Sequence, residues 1–371
     1  MKVLAALSGG VDSAVAAAAA LEAGHQVTGV HLALRPKTAS ATDGCNAPEA
    51  LIDAHEAATA LGIGLQVWDL SQRFEELVVR DFLDQYAAGR TPNPCVRCNQ
   101  FIKFQLLQRR AWDLGFDAVC TGHYARLEVT GGVPKLRRAR DFEKDQSYVL
   151  AAAGASALTR SWFPLGEFAS KTEVRAKAAS VGLPMADKPD SVDICFVPDG
   201  DTKGFLRARL GERPGVLVDS GGQVVGRHRG AHQFTVGQRR GLHLGEPAPD
   251  GEPRYVTAID TATGRVTVGS AADLLVRRFA VSALEWLVPQ QQLAPGPPNG
   301  RLGQGSVPPG SQCLVQVRAH GAAVACQVTP HRGDHLVQLD QPIRGLAAGQ
   351  LAVFYDDDLV IGHGTIELLS H

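Results

Sequence analysis

Short apolar runs alternate with longer helix-forming stretches through the first half of the chain. Residues 3–7, 26–34, 64–70 and 117–121 read as strands, the second and third of them buried. Residues 14–23, 48–61, 73–86 and 102–114 read as helices. The first of these is rich in alanine and stops at Gly24. A further helix is expected over 170–182, with Ser170 as N-cap and Glu173 closing a capping box. Alternation of this kind predicts an α/β fold, a doubly wound parallel sheet covered on both faces, with ligands at the carboxyl ends of the strands.

The texture changes at Gly204. Short alternating segments at 215–218, 255–260 and 265–269 are punctuated by pairs such as Gly221-Gly222, which are strand and hairpin signals. A Pro/Gly-rich stretch, 294–310, reads as an exposed excursion. Beyond it, 312–318, 322–329, 335–339 and 351–355 alternate apolar and polar positions, and Asp356-Asp357-Asp358 reads as a hairpin turn. The expected organisation is an α/β domain over 1–203, a β-rich domain over 204–275 and a second β-rich domain over 276–371. No internal repeat is visible.

Composition adds limits. A chain of 371 residues is too long for one ordinary domain. Hydrophobic content of 44% with 20% charged residues is that of a soluble globular protein, and no apolar stretch reaches the length of a membrane span. Met1-Lys2-Val3 enters a strand directly, so no signal peptide is expected. Seven cysteines, an odd number widely spread, argue against a disulfide scaffold and for a reducing cytoplasm. Net charge is −1, so contact with nucleic acid must rest on local patches. Candidate patches are Arg137-Arg138-Ala139-Arg140, Arg207 with Arg209, Arg227-His228-Arg229, Arg239-Arg240 and Arg277-Arg278. Each alone reads as a solvated face, and together they suit an RNA-binding surface. His228 and His232 have a zinc-like spacing but no third ligand nearby, and read as surface residues.

The densest chemistry lies at Ala6-Leu7-Ser8-Gly9-Gly10-Val11-Asp12-Ser13, a small-residue turn between strand and helix. Such a turn lets backbone N–H groups approach an anion, and the helix N-terminus adds partial positive charge. Ser8 and Ser13 add hydroxyls, and Asp12 suits a magnesium ion beside phosphate. The turn lacks the G-K-[ST] ending of a Walker loop and the G-x-G-x-x-G of a dinucleotide fold. Gly122-His123, at the end of another strand, falls at the same edge of the expected sheet.

Three thiols stand out. Cys95 and Cys98 lie in Thr91-Pro92-Asn93-Pro94-Cys95-Val96-Arg97-Cys98-Asn99, expected as a proline-stiffened loop ahead of a helix. A helix N-terminus with Arg97 and Lys103 nearby favours thiolate there. Cys195 lies in Asp193-Ile194-Cys195-Phe196. Cys120, Cys313 and Cys326 fall in expected strands and read as buried small hydrophobes, while Cys45 is unassigned.

The string Ser8–Ser13 resembles the PP-loop of the ATP pyrophosphatase superfamily, enzymes that grip the pyrophosphate of ATP and split it between the α and β phosphates. Further blocks follow in order: Thr91-Pro92-Asn93-Pro94, Cys98-Asn99, Lys103-Phe104, Thr121-Gly122-His123-Tyr124, Lys144-Asp145-Gln146-Ser147-Tyr148, Asp193-Ile194-Cys195-Phe196 and Gly237-Gln238-Arg239-Arg240-Gly241-Leu242. Their order resembles that of tRNA-specific 2-thiouridylases from residue 3 to about 365.

That resemblance implies a mechanism. ATP, with Mg2+, adenylates the C2 oxygen of the wobble uridine (position 34) in tRNAs for Lys, Glu and Gln. Cys195 carries a persulfide delivered by a cysteine desulfurase or a sulfur-relay protein, and its terminal sulfur attacks C2 and expels AMP. Cys98 frees hydrogen sulfide from the persulfide or closes a disulfide with Cys195. The resemblance places Ala6 to Ser13, Leu32 and Gly122 around ATP. It places Asn93, Pro94 and Cys95 at the target base, and His123, Lys144, Asp145, Gln146 and Gln350 against tRNA. It also implies that the last domain is a β-barrel. Two departures stand out: many relatives have Asp where this chain has Cys95, and an Arg-Tyr pair where it has His320-Gly321. An iron–sulfur cluster on Cys95, Cys98 and Cys195, as in other tRNA thiolases built on this loop, is an alternative. Two further readings are a PP-loop ligase or amidotransferase, which leaves both thiols without a role, and an RNA-binding module with an inactive nucleotide fold.

Overall fold

The computed structural model describes residues 1–35, 48–189, 194–197, 200–244, 250–288 and 312–369. Cys45, residues 190–193 and the 294–310 excursion lie outside the described residues. The chain divides into two units. Met1–Val79, Pro94–Gly200 and Asp358–Ile361 make up one, and Arg80–Asn93, Asp201–Asp357 and Gly362–His371 the other.

The first unit is built on a five-stranded parallel sheet of order β3-β2-β1-β4-β7. Its strands are β1 (Lys2–Ala6), β2 (Gln26–Ala33), β3 (Leu65–Asp69), β4 (Ala118–Cys120) and β7 (Ser161–Trp162). Val3 and Ala5 of β1 point to one face, where they pack with Ala14, Ala17 and Ala20 of helix α1 (Val11–Glu22) and with Val174 and Ala178. Leu4 points to the other, against Val30, Trp68, Leu107, Ala111 and Val119. Burial on both faces explains why the central strand β1 is a continuous apolar run, whereas β3, expected to be buried, lies at the sheet edge with Trp68 buried and Val67 exposed. The alanines of α1 are small enough to let the helix lie close on the sheet. The doubly wound parallel sheet expected from the sequence is therefore present.

The order reverses between β1 and β4, which pair in parallel with Ala5 opposite Cys120, while β2 takes the other side of β1. Such a switch point leaves a crevice at the carboxyl ends of the two central strands, because their connections leave in opposite directions.

One feature of this unit escaped the pattern of apolar positions. Strands β5 (Ala125–Thr130) and β6 (Val133–Arg138) form an antiparallel hairpin closed by Gly131 and Gly132, both at positive φ. Pro134 sits inside β6 and masked the strand signal. The expected loop around Cys95 and Cys98 is also corrected. The chain turns helical at Pro94 and stays so through Asp113, so both thiols lie in the first turns of a helix rather than ahead of it. From Cys98 to Leu106 this helix is π-wound, a local widening often found at functional sites.

The second unit contains two β structures. β8 (Gly215–Val218), β9 (Val224–His228), β10 (Tyr255–Asp260) and β11 (Arg265–Gly269) form a four-stranded sheet of order β10-β11-β8-β9 around Leu217, Val256, Val266 and Val268. The last six strands are β12 (Leu275–Trp286), β13 (Gln312–Gln316), β14 (Val324–His331), β15 (Asp334–Arg344), β16 (Leu351–Asp356) and β17 (Leu359–Glu367). They run in the order β12-β15-β14-β13-β16-β17, and Gly362–Glu367 of β17 returns to pair with β12, closing a six-stranded barrel. The β-barrel expectation holds. His232 departs from its expected surface place. It is buried, and burial lowers its pKa, with Arg213 and then His228 lowering it further. Among the described residues no helix is long and apolar enough to cross a membrane.

Candidate functional site

Two loops meet at the switch point. The first leaves β1 as Leu7-Ser8-Gly9-Gly10 and enters α1 through Gly10, whose extended backbone makes it the N-cap. Gly9 has φ +83, and a Cβ on it would lie 2.4 Å from the Ala50 carbonyl oxygen, so only glycine fits. The Ser13 hydroxyl ties the turn together. It donates to the Gly10 carbonyl at 2.8 Å and accepts from the Ser8 backbone N–H at 3.1 Å. Below it, buried His31 donates from Nδ1 to the Leu7 carbonyl at 2.9 Å. Burial lowers the His31 pKa, partly opposed by that hydrogen bond, so the ring is neutral. Leu32, the next residue of β2, is half-buried in the same strand.

The second loop leaves β4 as Thr121-Gly122-His123-Tyr124. Gly122 touches the first loop directly, since a Cβ there would stand 2.6 Å from the Asp12 carbonyl carbon and 2.7 Å from the Ser13 nitrogen. The Tyr124 hydroxyl donates to Asp12 Oδ1 at 2.6 Å. Lys171 Nζ reaches both Asp12 oxygens, at 2.6 and 2.7 Å. The carboxylate expected to meet magnesium is thus held by two protein donors. As the only carboxylate on the turn it fits a Mg2+ site in type, since magnesium takes one or two carboxylates plus phosphate oxygens.

His123 is buried, hydrogen-bonded through Nδ1 to Thr121 Oγ1 at 2.7 Å, and packed in a three-ring cluster with Phe104 and Phe163. Burial first, and Lys103 second, push its pKa well below the ordinary histidine value. Because Phe104 lies on the π-wound stretch, this cluster couples the Cys98 helix to the Gly122 loop. The carboxylate of Asp145, 4% exposed, accepts from the Ala139 and Ser147 backbone N–H groups, from Ser147 Oγ and from Arg138. Gln146 Oε1 accepts from the Tyr124 N–H at 3.0 Å. Both residues, expected against tRNA, turn their side chains to neighbouring protein groups, Gln146 bracing the Gly122 loop at Tyr124 and Asp145 tying Arg138 and Ala139 to Ser147. Lys144 is half-buried beside them.

Cys95 is exposed, and Cys98 and Cys195 are half-buried. Three residues apart on a helix, Cys95 and Cys98 share one face. Cys195 comes in from the far side of the sequence. Its carbonyl accepts from Arg35 Nη2 at 3.2 Å just past the end of β2, and neighbouring Phe196 packs edge-on against Phe74 at 5.7 Å. Phe74 belongs to the helical run 71–79, which packs on the helix carrying Cys95 and Cys98. Both thiol segments therefore rest on the same intermediate helix at the carboxyl edge of the sheet. For an iron–sulfur cluster the fit fails. Among the described residues no three His, Cys, Asp or Glu side chains are grouped as a metal requires.

The basic run 137–140 is largely neutralised. Arg137 pairs with Asp358, Arg138 with Asp145, and Arg140 with Glu167 at 2.9 Å. In the second unit, Arg229 pairs with Glu212. Gln350, also expected against tRNA, donates from its amide to the Thr91 carbonyl at 2.6 Å, while the Thr91 N–H donates to Ala348. Beside them Arg90 makes a two-pronged pair with Glu367 at 2.7 and 2.8 Å. Together these bonds fasten the residues just before Asn93 to the barrel.

Lys171 and Arg35 were not singled out in the sequence. Arg35 has no local signal. Lys171 has one, because a lysine at the first position of a helix opposes the helix dipole.

Comparison with known proteins agrees with this architecture segment by segment. Three family models cover the chain: a tRNA methyl transferase HUP domain over residues 1–199, a tRNA methyl transferase PRC-barrel domain over 203–270, and an aminomethyltransferase beta-barrel domain over 276–366. Full-length relatives carry a different activity in their name. A protein of Beutenbergia cavernae named tRNA-specific 2-thiouridylase MnmA is 52% identical over 99% of this chain and 94% of its own length. Its namesake from Saccharopolyspora erythraea is 51% identical over 99% of both chains. That from Acidothermus cellulolyticus is 52% identical over 99% of this chain and 97% of its own. With half of all positions shared from one end to the other, the chain belongs to the MnmA family of tRNA-specific 2-thiouridylases.

Proposed function

We propose that the chain thiolates C2 of the wobble uridine in tRNA, using ATP to activate the base and a cysteine persulfide to supply sulfur. The observation that carries this reading is identity above one half, over nearly the whole chain, to proteins named for that reaction. The domains are assigned as 1–203 for nucleotide and thiols, 204–275 as a central β-rich domain, and 276–371 as a tRNA-contacting barrel.

In this reading the N–H groups and hydroxyls of Ser8 to Ser13 receive the pyrophosphate of ATP, whose adenine side lies by Leu32 and Gly122. Magnesium, when bound, screens phosphate charge, and Asp12 would hold it. The C2 oxygen attacks the α-phosphate and pyrophosphate leaves. An oxygen at C2 is a poor leaving group until it bears that phosphate, whereas a persulfide is a strong nucleophile near neutral pH. The terminal sulfur on Cys195 then attacks C2, and AMP departs with the electron pair of the C2–O bond. Cys98 thiolate next attacks Cys195 Sγ. A Cys98–Cys195 disulfide forms, and the sulfur stays on C2. If Cys98 acts first, it releases hydrogen sulfide as the nucleophile and leaves the same disulfide. Both routes oxidise two thiols, so each turnover needs an external dithiol. Asn93, Pro94 and Cys95 are assigned to the target base, and Lys144 and Gln350 to the tRNA. His123, Asp145 and Gln146 are assigned to the same surface.

The deciding experiment combines the protein with Mg-ATP, a cysteine desulfurase with cysteine as persulfide donor, dithiothreitol and unmodified glutamate tRNA, and measures AMP and 2-thiouridine. Both products are expected. AMP without thiolated base would point to a ligase or amidotransferase, and neither product would point to a binding module.

A further inference from the structure

The ion pair between Asp12 and Lys171 joins residues 159 positions apart in sequence. Lys171 is the first residue of the helix Lys171–Ser180, whose N-cap Ser170 accepts from the Glu173 N–H. The helix dipole favours an acidic group in that turn and disfavours a cation. Asp12, in the first turn of α1, obeys the same rule. The two helices pack together, and each has one carboxylate in its first turn, Glu173 in one and Asp12 in the other, so Asp12 alone answers the ammonium as well as its own helix end. The Lys171 side chain is only 14% exposed, and water does little to screen it. Tyr124 holds Asp12 from the other side and presents its ring 5.7 Å from the ammonium. The ammonium thus stands on the carboxylate of a turn whose N–H groups suit an anion.

We infer that Lys171 is a phosphate-binding residue of the nucleotide site. Its ammonium rests on Asp12 and exchanges that carboxylate for a phosphate oxygen when a polyphosphate arrives. Asp12 keeps its Tyr124 bond through the exchange and becomes available to magnesium. The inference rests on the reading above that the Ser8–Ser13 turn receives the pyrophosphate of ATP.

The test is calorimetric titration of inorganic pyrophosphate into the whole chain, without tRNA and with EDTA present. Losing a charge-assisted hydrogen bond in Lys171→Gln should weaken binding about ten- to a hundredfold. Lys171→Arg, which keeps the charge, should stay within about threefold of wild type. Asp12→Asn should bind pyrophosphate more tightly, because the competing carboxylate is gone. A pair that merely clips two helices together predicts no such opposition of sign. Wild-type affinity in Lys171→Gln, or weakening in Asp12→Asn, overturns the inference. Should Lys171→Gln fail to fold, Lys171→Arg and Asp12→Asn still decide it. Wild type that binds pyrophosphate but forms no AMP from ATP and tRNA would instead sink the thiolation reading and leave the Lys171 assignment standing.

Discussion

Gly122 and Asp12 meet backbone to backbone, closely enough that a single methyl group on Gly122 would lie 2.6 Å from the Asp12 carbonyl carbon and 2.8 Å from its oxygen. Neither atom belongs to a flexible side chain, so Gly122→Ala must push the β4 loop away from the first turn of α1. Overpacking of this kind costs about 1–3 kcal/mol. ATP-dependent AMP formation should fall steeply, and the melting temperature should drop by several degrees. Gly64→Ala is the control. No atom lies within 4 Å of its Cβ position, and its φ lies outside the left-handed range. It should match or slightly exceed wild-type stability. Equal behaviour of the two variants would show that the contact between the loops is unimportant.

Sulfur transfer and adenylation should separate by mutation. Cys195→Ser removes the proposed persulfide carrier but leaves the Ser8–Ser13 turn, so 2-thiouridine formation should vanish while tRNA binding and some AMP release persist. Loaded by a cysteine desulfurase with cysteine, Cys98→Ser should retain a persulfide on Cys195, detectable as a mass gain of one sulfur, yet fail to complete a turnover. Loss of tRNA binding in Cys195→Ser would mean that this segment serves the architecture rather than the chemistry.

The parallel sheet was legible because its central strand is an apolar run in a chain that alternates strand-like and helix-like stretches, and the Ser170 cap because Ser and Glu stand three apart. In the structure the Ser170 half of that capping box forms, while Glu173 reaches back to the Ala169 N–H instead of that of Ser170. Other elements carry no such local signature. β12 contains Arg277-Arg278, and its pairing with β15 shifts register between Val276 and Arg278, which spoils the alternation that would announce a strand. The helical start at Pro94 was hidden by two prolines, one of which suits the first position of a helix. The partnership of Asp12 with Lys171 is purely tertiary. Only the misplaced charge at the helix start hinted at it.

Thiol reactivity should divide the cysteines by place. Cys95, Cys98 and Cys195 have accessible surface, whereas Cys120, Cys313 and Cys326 are buried. Burial pushes the Cys120 thiol up to about 12. Cys326 is also raised, first by its hydrogen bond with Cys313, whose sulfur faces it 3.6 Å away across β13 and β14, and then by burial. Brief treatment with iodoacetamide near neutral pH should therefore label the first three and spare the others until the protein is unfolded. Peptide mass spectrometry reads the pattern. Early labelling of Cys313 or Cys326 would contradict a closed barrel.

Acid should loosen the first unit through two histidines. Burial lowers the pKa of His31 and, more strongly, of His123, so both are neutral in the fold while the unfolded chain titrates near 6.5. Between the folded and unfolded values the unfolded state binds more protons, so stability is full above 6.5 and falls as pH drops toward the folded values. The melting temperature should hold from about pH 8 to about pH 7 and then decline toward about pH 5.5. His123→Gln removes one of these titrations. Whatever its offset at neutral pH, its melting temperature should fall less steeply with acid than that of wild type. His228, His232, His335 and His363 are lowered as well, so the slope should shrink rather than vanish. Identical slopes in the two proteins would mean that His123 already shares its proton with solvent, and that the ring cluster joining the Cys98 helix to the Gly122 loop is open in solution.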